Sequence, residues 1–235
     1  MNIEFTFDFL PVILELEKKG LVTRTFRRLD PERQQAVITA ILEEAGETGP
    51  QDMNIKRVAE RAGVSTGSLY QYFNNRENLL SFTAELATRS TVQLFEYYRH
   101  YMSEAPLSET LPMYISEGVN WTEEQNGFAR FFAAAAYHGD PQYGDTVVRP
   151  IAEVMRAMVN DMLRSALERG EVRGYIDLDA VTRIIHTLSI SIGDGLIFPG
   201  LKNYYQLVDG EMTVERIYSA LIDLVMHGIS KERVD

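Results

Sequence analysis

The chain has 235 residues, 45% of them hydrophobic, which is enough for one large domain or two smaller ones, each with its own core; a disordered chain is not expected. It contains no cysteine, which excludes disulfides and thiolate metal sites and fits a reducing, cytoplasmic compartment. A net charge of -11 argues at first against a polyanionic partner, yet the acid is unevenly placed: residues 1–80 carry 10 basic and 12 acidic side chains, the rest 13 and 22.

The opening stretch MNIEFTFDFLPVILELEKKG has acids among its apolar residues, no basic leader and no small-residue cleavage site, so no secretory signal is expected. From about Pro11 to Lys19 it reads as a short amphipathic helix stopped by Gly20. Lys18, Lys19, Arg24, Arg27, Arg28 and Arg33 form a basic run, continued by Lys56, Arg57, Arg61 and Arg76, which taken alone reads as a solvated charged face. Residues 1–29 are therefore set apart as an N-terminal extension with two roles open: a stabilising helix packed on the rest, or an arm in which Arg24, Arg27 and Arg28 add phosphate or minor-groove contacts.

Asp30-Pro31 supplies an N-cap followed by proline at the first helical position, and Val37, Ile38, Ile41, Leu42 and Ala45 make an apolar stripe expected to stop at Gly46. Gly49-Pro50 breaks the chain before the next helix. Residues 54–73 then read as two short helices joined by a tight turn. Ile55, Val58, Ala59 and Ala62 line one face of the first helix, and Gly63 stands where the turn needs a positive φ. Ser65 caps the second helix, whose Leu69 and Phe73 point back to the core, and Met53 with Val58 and Val64 with Leu69 have the spacing of hydrophobic staples. That leaves Thr66, Gly67, Ser68, Tyr70, Gln71 and Tyr72 on the outer face. Small and polar side chains crowding the amino end of such a helix are what a reader of the major groove needs: Gln71 can pair with an adenine edge, and Thr66 or Ser68 with bases or phosphates. With Lys56, Ser65 and Arg76 these make the expected DNA-binding set, helped by the dipole of the helix N-terminus.

Beyond residue 76 the helical period continues through roughly 76–103, 108–121, 125–138, 144–169, 178–197 and 213–229, separated by Ala105-Pro106, Gly139-Asp140-Pro141, Gly170 and a Pro199-Gly200 loop. There are no alternating strand runs, no fixed repeat and no apolar run near the ~20 residues that cross a bilayer; FARFFAAAAYHG is shorter and contains Arg130. An all-α bundle without a membrane partner is expected. The four histidines, at 100, 138, 186 and 227, form no HExxH, and neither a GK[ST] phosphate loop nor a GxSxG elbow occurs, so no catalytic residue, metal or cofactor is expected.

The stretch from Ile55 to Leu80, IKRVAERAGVSTGSLYQYFNNRENLL, with a helix placed correctly before it, resembles the TetR family of bacterial transcriptional regulators over about residues 30–80. The resemblance implies a three-helix head, a long connecting helix, and a C-terminal bundle that pairs subunits and encloses an effector pocket, so that residues 30–76 read DNA and 77–235 sense and dimerise. It maps Thr66 and Ser68 onto base or phosphate contacts, Tyr70 onto a phosphate contact, and Arg76 onto the basic residue opening the connecting helix, where members often have lysine. It also implies a homodimeric repressor, released by a small molecule from a near-palindromic operator read in successive major grooves about 34 Å apart.

Interface candidates under that resemblance are Leu188, Ile192, Leu196, Ile217, Leu221, Leu224 and Val225, with burial inside the subunit as the competing reading. An aromatic and methionine-rich set, Tyr114, Trp121, Phe128, Phe131, Phe132, Tyr137, Met155, Met158 and Met162, is either core or the lining of a pocket for an apolar or aromatic effector. Asn120, His138, His186 and Asp194 are polar groups that could orient it. An effector-independent DNA-binding protein of chromosome organisation or division control, and an adaptor that no longer binds DNA, are the alternatives.

Overall fold

The computed structural model describes residues 8–116, 123–137, 139, 141–209 and 211–229. In chain order its helices are α1 (Phe9–Lys18), α2 (Arg24–Arg27), α3 (Pro31–Thr48), α4 (Ile55–Arg61), α5 (Thr66–Phe73), α6 (Arg76–Glu104), α7 (Leu107–Ser116), α8 (Glu123–Tyr137), α9 (Pro141–Tyr143), α10 (Arg149–Glu168), α11 (Leu178–Ile197), α12 (Pro199–Tyr205) and α13 (Val214–Ile229), with a π-helical turn at Gly144–Val148. No β-strand occurs among the described residues, and the class is all-α, as the periodicity predicts.

The chain packs as two units. The first comprises Met1–Leu94 and Thr122–Ala152. Here Asp30 caps α3 by accepting the Arg33 N–H at 3.0 Å, with Pro31 at the first helical position. The helix runs through Gly46, where the sequence places its stop, and ends at Gly49, whose φ of +87° is the left-handed value that releases a helix. Gly46 has a packing role instead. A Cβ there would lie 2.9 Å from the Cβ of Arg130 on α8, and one on Gly127 of α8 would lie 3.3 Å from that of Leu42. Each helix thus turns a glycine toward the other, and the two backbones come close.

Residues 8–29 of the N-terminal extension are built into this unit. Asp8 caps α1 by accepting the Leu10 N–H at 3.0 Å, so the helix begins ahead of Pro11. Val12, Ile13, Leu16, Val22 and Phe26 are buried. Of the two roles left open for this segment, packing on the head is what the side chains of α1 and α2 do.

The second unit comprises Phe95–Trp121 and Glu153–Asp235. Leu107, Leu111 and Ile115 of α7, Val159, Met162 and Leu163 of α10, Ile185 of α11, and Leu221, Val225 and Ile229 of α13 form its core. Two side chains stitch its turns. Arg169 donates to the carbonyls of Ser103 and Ala105, at 2.9 Å each, satisfying the C-terminal end of α6, and Glu171 accepts the Leu107 N–H at 2.8 Å at the start of α7. The segment read as a Pro199-Gly200 loop is the helix α12. Proline suits a first helical turn, where its missing N–H would have had no partner, and Gln206 in the left-handed region ends the helix.

Candidate nucleic-acid interface

The helix-turn-helix is built from α4 and α5. Asn54 caps α4, its Oδ1 accepting the N–H groups of Lys56 and Arg57 at 3.0 and 3.3 Å. Gly63 makes the turn at φ +67°. Ser65 Oγ then accepts the Ser68 N–H at 3.0 Å and lies 2.8 Å from Ser68 Oγ, so the start of α5 is fixed by hydroxyl groups that remain at the surface. Leu69 and Phe73 are buried, as their spacing predicts.

Gly67, Tyr70 and Gln71 are exposed and Thr66 and Ser68 half-exposed, which brings five of the predicted contact residues onto one solvent-facing surface. Tyr72 departs from the prediction. It is 8% exposed, and its ring packs 5.8 Å from that of Phe26 on α2 and 6.4 Å from Phe73. An isolated α5 would leave Tyr72 on the outer face; α2 covers that side and turns the residue into core.

The basic residues of the head divide by partner. Arg57 and Arg61 of α4 face three carboxylates of α3. Arg57 lies 3.1 Å from Glu44 and 2.7 Å from Glu47, and Arg61 lies 3.2 Å from Glu43, 3.5 Å from Glu44 and 2.5 Å from Glu47. Hydrogen bonding from Arg61 holds the Glu47 carboxyl below its ordinary range. Glu44 is fully buried; its Oε1 accepts the Asn54 N–H at 3.3 Å, while both guanidinium groups approach Oε2 off the N–H axis, as ion pairs rather than straight hydrogen bonds. These two arginines tie α4 to α3 through ion pairs. Lys56 has only a 3.9 Å, exposed pairing with Glu60, and Arg76 donates to the Gln51 carbonyl.

Residues 37–81 match the family model described as bacterial regulatory proteins, tetR family. The match covers the helix-turn-helix head, which is similar to the DNA-binding domain of that family. Among curated relatives, the chain is 30% identical over 109 residues to the HTH-type transcriptional regulator BetI of Klebsiella pneumoniae (strain 342), covering 46% of the chain and 55% of that protein. To BetI of Escherichia coli (strain K12 / DH10B) it is 30% identical over 105 residues, covering 45% and 53%. The chain thus spans about half the length of the curated relatives it matches. Similar solved structures cover more of the chain and share its fold. The ketosteroid transcriptional regulator KstR2 of Mycobacterium tuberculosis superposes with a TM-score of 0.60 at 20% identity, over 87% of this chain and 98% of that one. The transcriptional regulator FadR from Bacillus subtilis, solved in complex with stearoyl-CoA, gives 0.61 at 19%, over 83% and 99%.

The residues expected at an effector site belong to both units. Asn120, Trp121 and His138 lie outside the described residues. Phe128, Phe131 and Phe132 are buried in the first unit, where Phe131 meets Tyr143 edge-on at 6.3 Å. Tyr114, Met155, Met158, His186 and Asp194 belong to the second. There the Tyr114 hydroxyl lies 3.3 Å from His186 Nδ1. Burial raises the tyrosine pKa well above its ordinary value, and burial, reinforced by the charge of Arg156, lowers that of the histidine, so the pair is neutral near pH 7. A cavity of about 260 Å³ in the first unit, bordered by Pro50, Ala135 and Tyr143 among others, takes in none of the expected effector residues.

The interface candidates divide as well. Leu221 and Val225 are core, and Ile192 and Leu196 pack partly buried against it. Ile217 is half-buried. Leu188 and Leu224 are 37% and 70% exposed, and Ile184, absent from the prediction, is 56% exposed. Its position four residues before Leu188 is the signal that finds it, since such residues share a helix face.

Proposed function

We propose that the chain is a dimeric transcriptional regulator, acting in the cytoplasm as a repressor, whose α5 reads a near-palindromic operator and which a small-molecule effector releases. The observation that carries this reading is the exposed face of Thr66, Gly67, Ser68, Tyr70 and Gln71 behind a firm Ser65 cap. Gly67 is the informative member. A glycine inside a helix forfeits up to about 1 kcal/mol relative to alanine. A Cβ at this position would meet nothing nearer than Ser65 Oγ at 3.6 Å, so the subunit's own packing does not require glycine. A duplex backbone or base edge pressed against the helix would. Gly67→Ala is therefore expected to leave the thermal midpoint unchanged or slightly raised while operator affinity falls at least tenfold. Operator sequences come from selection of random duplexes with the purified full chain; recovery of a palindrome supports the reading, and no enrichment at low ionic strength ends it.

The exposed Ile184 and Leu188, one turn apart on α11, and the exposed Leu224 on α13 support pairing with a second subunit, since exposed large apolar side chains mark interaction sites. Leu224→Glu is expected to convert the dimer to a monomer in sedimentation velocity and to lower operator affinity with it. For the effector, the second unit offers the neutral Tyr114–His186 pair together with Met155, Met158 and Asp194. A partly buried donor–acceptor pair in the unit that also holds these methionines suits an apolar or aromatic molecule bearing one polar group. Similarity of fold to a regulator solved with stearoyl-CoA supports an apolar class. Release requires that the effector prefer the state in which α6 moves the recognition helices off register, by roughly 5 kcal/mol for a nearly complete switch.

A further inference from the structure

Positive charge reaches α5 only from its neighbours, and Lys56 on α4 and Arg76 at the start of α6 supply part of it. The helix TGSLYQYF has no basic side chain, and Arg57 and Arg61 are taken up by Glu43, Glu44 and Glu47. Phosphate binding rests on cations, so some must come from a neighbouring element. The element that adjoins the C-terminal end of α5 is α2. Thr23, its N-cap, donates its N–H to the Tyr72 carbonyl at 2.8 Å and its hydroxyl to the Gln71 carbonyl at 2.7 Å, satisfying two carbonyls at the end of α5. Asn78 donates to the Gly20 carbonyl at 2.9 Å and fixes the preceding turn.

On this anchored turn the three arginines differ in state. Arg27 is paired with Glu17. Arg24 and Arg28 are exposed and have no ion pair among the described residues. The surrounding carboxylates are engaged elsewhere: Glu17 by Arg27, Glu15 by Arg89, Glu85 by Lys19 and Arg89, Asp30 by Arg33. Arg24 and Arg28 stand four residues apart, one helical turn, and so share a face.

We propose that Arg24 and Arg28 form a phosphate clamp that grips the sugar-phosphate backbone of the duplex read by α5, making the N-terminal extension part of the DNA-binding surface. The clamp rests on the DNA-binding reading above and adds its own claim: two backbone contacts per subunit, independent of base sequence. Two guanidinium groups without an ion pair among the described residues, on a turn bonded to the recognition helix of a chain of net charge -11, complement phosphate and are ill suited to an acid-rich protein surface already furnished with cations.

The test is the salt dependence of binding of the full chain to a labelled duplex pool of random sequence, followed by fluorescence anisotropy. Taking away one phosphate-binding cation reduces the slope of log K against log salt by about 0.9. Arg24→Gln with Arg28→Gln should lower the slope by about 1.8 per subunit at an unchanged thermal midpoint, and Arg24→Lys with Arg28→Lys should keep most of it. A glutamine variant of native stability with the wild-type slope would overturn the clamp while leaving the DNA-binding reading intact. An equal reduction in the lysine variant would also overturn it, because charge would then not be the cause. Failure of the unaltered protein to bind the pool at any salt would sink the reading beneath it.

Discussion

Phe26→Ala is expected to destabilise the first unit by about 3–5 kcal/mol, the cost of emptying a fully enclosed phenylalanine site. Phe26 is completely buried, and its ring lies 5.3 Å from Phe73, 5.5 Å from Phe82 and 5.8 Å from Tyr72. Two of those partners belong to α5, so the damage falls on the helix proposed to read DNA. The expected record in denaturant is an earlier unfolding transition, with DNA binding abolished at temperatures where the unaltered protein still binds. Phe26→Leu, which keeps most of the volume, should recover more than half of the stability. A change below about 1 kcal/mol in the alanine variant would show that α2 is an appendage rather than core. The same packing explains why deleting residues 1–28 cannot isolate the clamp of Arg24 and Arg28: the deletion also removes Phe26 and the two hydrogen bonds from Thr23.

What can be read in the sequence is what local chemistry decides. The Asp30-Pro31 start, the Ser65 cap, the Gly63 turn and the burial of Leu69 and Phe73 each follow from side chains within a few residues of one another. What escapes it requires a partner distant along the chain. Gly46 looks like a helix stop until α8 is placed on α3, whereupon its missing side chain is a contact surface and Gly49 three residues on does the stopping. Tyr72 looks outward until Thr23, nearly fifty positions earlier, hydrogen-bonds to its carbonyl and brings Phe26 over its ring. On α13, Leu221, Leu224 and Val225 are equally apolar, and only the packing of α7 and α10 separates the two that face inward from Leu224. The division of the expected effector residues between the two units has the same origin. Phenylalanines and methionines carry no distinguishing mark in the sequence, and the fold assigns Phe131 to the buried residues of one unit and Met158 to those of the other.

Charge shows the limit most sharply, and it yields the second large effect. Arg57 and Arg61 belong to the same basic run as Arg24 and Arg28, and nothing in spacing separates them; their partners do. Replacing both Arg57 and Arg61 with alanine would leave Glu44 fully buried with the Asn54 N–H as its remaining donor, together with Glu43 and Glu47 beside it. A buried charge stripped of its counterions costs about 3–5 kcal/mol, so the double variant should unfold early and fail to bind DNA through the fold of the head. Adding Glu44→Gln removes the orphaned charge while keeping a side chain able to accept the Asn54 N–H, and the triple variant should regain a large part of that stability. No such rescue is possible if the arginines serve as phosphate contacts. In that case the double variant would melt like the unaltered chain and show a shallower salt slope, and Glu44→Gln would change neither. The comparison therefore separates cations that hold the reading head together from cations left free to meet a duplex, within a single basic run.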